Sequence, residues 1–131
     1  MKRTILLADD SPTIQRLVTQ TFAEGEFEIV SVSNGDAAVK KFEELRPELV
    51  LADIYMPGKN GYDVCAEMKG DPALHEIPVV MLTSSRESRD VEECYALGVN
   101  SYIVKPVDFE SFVAAVSKAG LYWLLVNEPP R

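Results

Sequence analysis

The stretch Thr4-Ile5-Leu6-Leu7-Ala8-Asp9-Asp10 decides how this chain reads, because an unbroken apolar run ends abruptly on two acids. A strand with one wet face alternates apolar and polar residues, whereas a strand covered on both faces is apolar throughout. Residues 48–52 (ELVLA) and 78–82 (PVVML) share that continuous character. FEIVSV at 27–32 and SYIV at 101–104 supply two further strand candidates.

Helical patterns lie between these runs. Residues 13–23 place Ile14, Leu17, Val18 and Phe22 on one face. Asn34-Gly35-Asp36 opens a second helix with Ala38, Phe42 and Leu45 inward, closed by Pro47. A third covers 62–68 with Val64, Cys65 and Met68 at helical spacing, and a fourth covers 89–97 with Gly98 as its C-terminal stop. Asp108 suits the N-cap of a fifth, whose inner face is Phe112, Val113 and Val116. Alternating strands and helices with short connections predict an α/β fold, a parallel five-stranded sheet with helices on both faces.

In such open sheets, chemistry gathers beyond the carboxyl ends of the strands. Those ends carry Asp9-Asp10, Ser33-Asn34, Asp53, Thr83-Ser84 and Lys105-Pro106. The first, third, fourth and fifth are expected to converge as three carboxylates, a hydroxyl and one ammonium. Two carboxylates ~4 Å apart at a surface-like dielectric repel by about 4 kcal/mol, so protons or a divalent cation must relieve them. Magnesium takes oxygen ligands, keeps several waters and bridges readily to phosphate. An acidic cluster facing a lysine therefore suits a metal-assisted phosphoryl site. Asp10, just before Ser11-Pro12, also suits a plain helix cap. The Lys105-Pro106 bond can adopt the cis form, which would aim the lysine inward.

Composition narrows the field. The chain has 131 residues, 47% hydrophobic and 26% charged, with Lys+Arg 13 against Asp+Glu 21 and a net charge of −8. That length predicts one domain, and that sign argues against direct nucleic-acid binding. The longest apolar run, 121–126, is far short of the ~20 residues that span a bilayer, and the N-terminus is not a secretory signal. Cys65, Cys94 and one histidine, His75, are too few for a zinc site. The expectation is a reduced cytoplasmic domain with no membrane contact.

Taken together, Asp9-Asp10, the run Asp53-Ile54-Tyr55-Met56-Pro57 with Gly61, Thr83-Ser84 and Lys105-Pro106 resemble a two-component response-regulator receiver domain of the stand-alone, CheY-like kind. The likeness covers nearly the whole chain. It implies a flavodoxin-like sheet of order 2-1-3-4-5 with five helices, and a receiver domain over 1–120. It implies that Asp53 accepts a phosphoryl group from a sensor histidine kinase or phosphotransfer protein. Asp10, Asp53 and the Tyr55 backbone carbonyl would hold Mg²⁺, with Asp9 acting through water. Thr83, Ser84 and Lys105 would hold the phosphoryl oxygens. Thr83 and Tyr102 match the family's switch pair, which would reshape the surface of the fourth helix, fifth strand and fifth helix. Tyr55 and Ser85 occupy positions that tune hydrolysis in the family.

The tail, 121–131, reads as an extension of the last helix. LYWLLV is apolar around the whole helical wheel, which leaves Tyr122, Trp123, Leu124 and Leu125 as candidates for a homodimer interface. YWLLVNEPP also resembles the ends of phytochrome-associated single-domain regulators. With no output domain in the sequence, the expected output is binding to a downstream protein rather than classical enzyme activity, unless the chain is a fragment of a longer regulator. An Asp-nucleophile phosphatase would want Asp-x-Asp after the first strand. A flavin carrier would want a Ser/Thr/Gly-rich loop there. A phosphorylation-independent interaction module would have no need of the reactive residues.

Overall fold

The computed structural model describes residues 3–22, 27–83, 92, 96, 98–105 and 107–121. Five strands, β1 (Arg3–Ala8), β2 (Phe27–Val32), β3 (Leu49–Asp53), β4 (Val79–Thr83) and β5 (Ser101–Val104), form one parallel sheet in the order β2-β1-β3-β4-β5. The described helices are α1 (Pro12–Thr21), α2 (Gly35–Leu45), α3 (Gly61–Gly70) and α4 (Phe109–Lys118). The helix expected over 89–97 falls outside the described residues except at Glu92 and Ala96, both helical and exposed.

The continuous apolar runs behave as their composition requires. Every residue of β3 and β4 is buried, and β1 is buried at all but one position. Alternate side chains feed two cores, one on each side of the sheet. Leu6, Val50, Ala52 and Met81 meet Ala38 and Phe42 of α2 and Val64, Cys65 and Met68 of α3. Ile5, Leu7, Leu51 and Leu82 meet Val18 of α1 and Phe112 and Val116 of α4. On that second side the rings of Phe22, Phe27 and Phe112 pack edge to face, with centroids 4.8–5.6 Å apart.

Two apolar residues assigned inward face water instead. Leu17 is 43% exposed because α1 turns Val18 and Phe22, not Leu17, onto the sheet. Leu45 is 39% exposed because it is the last residue of α2, and Arg46 at φ 48 turns the chain away immediately after it. The cap of α1 is Ser11, whose hydroxyl accepts the Ile14 N–H at 3.3 Å, so Asp10 is not spent on capping.

The last helix closes at Lys118. Gly120 takes a left-handed φ of 77, Leu121 N–H donates to Val116 O at 2.7 Å, and Leu121 packs on the core beneath. This is a glycine-terminated helix stop with its usual apolar contact. The expected extension over 121–131 lies, beyond Leu121, outside the described residues, and Tyr122, Trp123, Leu124 and Leu125 with it.

Candidate functional site

Register brings the chemistry together. Ala8 pairs with Ala52, Asp53 with Leu82, and Thr83 with Val104, so the carboxyl ends of β1, β3, β4 and β5 finish at one level. Asp9, Asp10 and Asp53 each offer a carboxylate oxygen within 4.8 Å of the others. Asp9 is wholly buried, Asp53 is 7% exposed, and Asp10 is exposed at the mouth.

Lys105 reaches into this cluster. Its Nζ lies 3.2 Å from Asp53 Oδ2, as a hydrogen bond, and 3.1 Å from Asp9 Oδ2. The peptide of Lys105 is tied to the end of β4, since its N–H donates to Thr83 O at 2.8 Å. Burial raises the Asp53 carboxyl above its usual range and the neighbouring Asp9 charge adds to this, while Lys105 opposes both. Burial lowers the Lys105 ammonium, but its bonds and charge attraction to Asp9 and Asp53 win, and the net direction is upward.

The donor set fits a hard divalent cation. It is all oxygen, strongly negative and only partly compensated by one ammonium. Asp9 Oδ1 accepts the Ser11 N–H at 2.9 Å. Asp9 Oδ2 is buried, and among the described residues the contact it shows is the Lys105 ammonium at 3.1 Å. A buried carboxylate oxygen left in that state is costly unless further positive charge approaches it.

The loop from β3 to α3 is clamped from two sides. Gly61 N–H donates to Ile54 O at 2.9 Å, and a Cβ on Gly61 would lie 2.3 Å from the Asp53 carbonyl oxygen. A Cβ on Gly35, at the start of α2, would lie 2.0 Å from the Lys59 carbonyl oxygen. Asn60 and Asp63 form a reciprocal capping box that starts α3 directly after the loop.

Of the other expected site residues, Thr83 is buried at the end of β4 and Tyr102 is half-buried on β5. Tyr55 is 65% exposed, beside the acidic cluster in sequence and at the surface in space. Ser84, Ser85 and Pro106 lie outside the described residues, and so does the cis form considered for the Lys105-Pro106 bond. Sequence reasoning missed Gly35 as part of the site, although an Asn-Gly pair opening a helix hints at close backbone approach. It also missed Gln15, which contacts the Asp9 backbone and carries no local signal.

The response regulator receiver domain profile matches residues 5–117. The chain belongs to that family. It is 34% identical over 116 residues to the DNA-binding response regulator MtrA of Mycolicibacterium smegmatis, covering 88% of this chain and 50% of that protein. The chain thus spans about half the length of that curated relative. The bacteriophytochrome response regulator RtBRR has a similar structure, with TM-score 0.82 and 37% identity, covering 99% of this chain and 85% of that one. The Mn²⁺-bound form of response regulator Rcp1 matches with TM-score 0.78 and 32% identity over 98% of this chain and 99% of its own. The phosphorylated cyanobacterial phytochrome response regulator RcpA matches with TM-score 0.80 and 31% identity, over 98% and 97%. Among the described residues no helix of this receiver domain is long and apolar enough to cross a membrane.

Proposed function

We propose that this receiver is a metal-dependent phosphoacceptor whose nucleophile is Asp53. The observation that carries this reading is the triad of Asp9, Asp53 and Lys105, with one ammonium bridging two buried carboxylates while Asp10 stays at the open mouth. An Asp53 carboxylate oxygen attacks the phosphorus of a phosphohistidine on a sensor histidine kinase or phosphotransfer protein. The P–N bond breaks, and the imidazole leaves with its electron pair.

Asp10, Asp53 and the Tyr55 carbonyl would hold Mg²⁺, with Asp9 acting through water, and the bound ion would supply positive charge to offset the crowded carboxylates and phosphoryl oxygens. Lys105 pairs with the transferred group, and the Thr83 hydroxyl and Ser84 N–H hold its other oxygens. The Mn²⁺-bound Rcp1 and phosphorylated RcpA relatives support this assignment.

The output is a change of surface, not turnover of a substrate. Tyr102 packs partly against the α2–α3 core and carries the Lys118 ammonium 5.5 Å from its ring centroid. A phosphoryl group drawing Thr83 toward it shifts the packing behind Tyr102 and reshapes the face made by 89–97, β5 and α4. A downstream protein reads that face in the cytoplasm. The receiver unit is 1–120, and the segment 121–131 contributes a homodimer contact through Tyr122, Trp123, Leu124 and Leu125. The half-length match to MtrA favours a second reading, that the chain is the receiver part of a longer regulator. Its own net charge of −8 keeps direct nucleic-acid contact out of the proposal for this domain.

Incubation with Mg²⁺ and acetyl phosphate or phosphoramidate tests the core assignment. The expected result is a mass gain of one phosphoryl group, absent in Asp53→Asn and without Mg²⁺. A gain that survives in Asp53→Asn removes the acceptor assignment.

A further inference from the structure

The turn that carries Asp9 and Asp10 is held by a side chain outside the acidic cluster. Gln15, in the second turn of α1, places its amide nitrogen Nε2 2.7 Å from the Asp9 carbonyl oxygen and 3.2 Å from Ser33 Oγ. A carbonyl only accepts, so the Gln15 group facing it must be the donor. The reversed amide would set two acceptor oxygens against each other.

Asp9 is thereby fixed at every polar atom of its backbone. Its N–H donates to Val32 O at 3.1 Å, at the end of β2, and its carbonyl receives Gln15. Its carboxylate Oδ1 accepts the Ser11 N–H, and the Ser11 carbonyl in turn accepts the Gln15 N–H at 3.0 Å. The Asp9–Asp10 peptide is planar, so anchoring its carbonyl oxygen fixes the plane from which the Asp10 Cα and side chain depart. Rotation of that plane would swing Asp10 away from Asp9 and Asp53.

We infer that Gln15 is a positioning residue for the divalent-cation site, acting through the Asp9 carbonyl to aim Asp10 while Ser33 steadies its amide. This rests on the metal-dependent reading given above. Groups that orient metal ligands from behind change affinity by about 10–100-fold when removed. Gln15 acts through one backbone bond, so an effect near the lower end, about tenfold, is expected.

Two variants separate anchoring from charge. Gln15→Met keeps the length and loses the donor. Gln15→Glu keeps the shape, loses the donor and adds an anion near the cluster. Mn²⁺ dissociation constants from the EPR signal of free Mn²⁺ should rise about tenfold in both. In the metal-free protein the Asp10 amide ¹⁵N resonance should shift in both, because it reports the hydrogen bond at the preceding carbonyl. Thermal melts establish that each variant is folded, and Ser33→Ala, with a smaller loss of affinity, serves if either is not. Wild-type affinity in Gln15→Met, or tighter binding in Gln15→Glu, overturns the inference while leaving the metal site standing. A wild-type protein that binds no Mn²⁺ overturns the metal reading and this inference with it.

Discussion

Gly61 closes onto the backbone of Asp53 so tightly that a methyl group on Gly61 would sit 2.3 Å from the Asp53 carbonyl oxygen. The atom in the way is main chain, so relief requires moving the backbone that carries Asp53. Gly61→Ala should therefore cost stability by about 1–3 kcal/mol, the range for overpacking a rigid site. It should also slow phosphorylation by acetyl phosphate more than it lowers the urea midpoint would explain. Gly35→Ala meets the Lys59 backbone at 2.0 Å and should behave alike. Gly70 has nothing within 4 Å of its would-be Cβ, so Gly70→Ala should be neutral or stabilising by up to about 1 kcal/mol. Urea unfolding of the three variants checks the contrast, and equal losses in all three would remove the argument from close approach.

These glycines mark the boundary of what the sequence makes legible. The cluster of Asp9, Asp53 and Lys105 is legible because each follows an apolar strand, and a parallel sheet brings strand ends to one level. The same logic made β3 and β4 readable as buried strands. Leu17 and Leu45 turn partly to water because a helical repeat marks an apolar side without fixing how far it rolls onto the sheet. Ser11 and Asp10 compete for one cap in the sequence, and only the chain's turn into α1 chooses the hydroxyl. Gln15 is invisible locally, since its partners are Asp9 on β1's end and Ser33 after β2.

Tyr55 lies two residues beyond Asp53 and is 65% exposed. On the phosphoacceptor reading, a bulky side chain there would screen the phosphoryl group from water. Tyr55→Ala should shorten the lifetime of phosphorylated protein without changing its unfolding midpoint, because an exposed side chain contributes little to the core. The decay of the phosphorylated mass in Mg²⁺ buffer measures this. An unchanged or longer lifetime would show that Tyr55 gives no screening.

Asp108 caps α4, its carboxylate Oδ1 accepting the Ser111 N–H at 2.7 Å. That bond holds the Asp108 carboxyl below the usual aspartate range. A depressed carboxyl contributes stability that is complete above the unfolded value and disappears as pH falls through the lower folded value. Asp108→Asn keeps the acceptor and should melt near wild type at neutral pH, with a smaller loss on acidification below that value. Asp108→Ala should melt lower at neutral pH, and the gap to wild type should narrow in acid. Thermal melts across this pH range decide it, and a gap that widens in acid would contradict the sign.

If a divalent cation binds the aspartate cluster, it and Lys105 answer to the same carboxylates, which makes their contributions interchangeable in a testable way. Without metal, Lys105 is the cation in contact with Asp9 Oδ2 and Asp53 Oδ2, at 3.1 and 3.2 Å. Lys105→Met leaves two buried carboxylates facing each other. Removing one partner of a buried pair costs about 3–5 kcal/mol, and the lower end applies because the lysine side chain is 21% exposed. A cation that binds only the folded state restores stability in proportion to its occupancy. In Lys105→Met no ammonium competes for the carboxylates, so Mg²⁺ should bind more tightly and recover more stability than in wild type. Urea midpoints in EDTA and in excess Mg²⁺ give both numbers for each protein. If Mg²⁺ raises the two midpoints equally, Lys105 and the cation do not share the site, and the three-aspartate cluster needs another explanation.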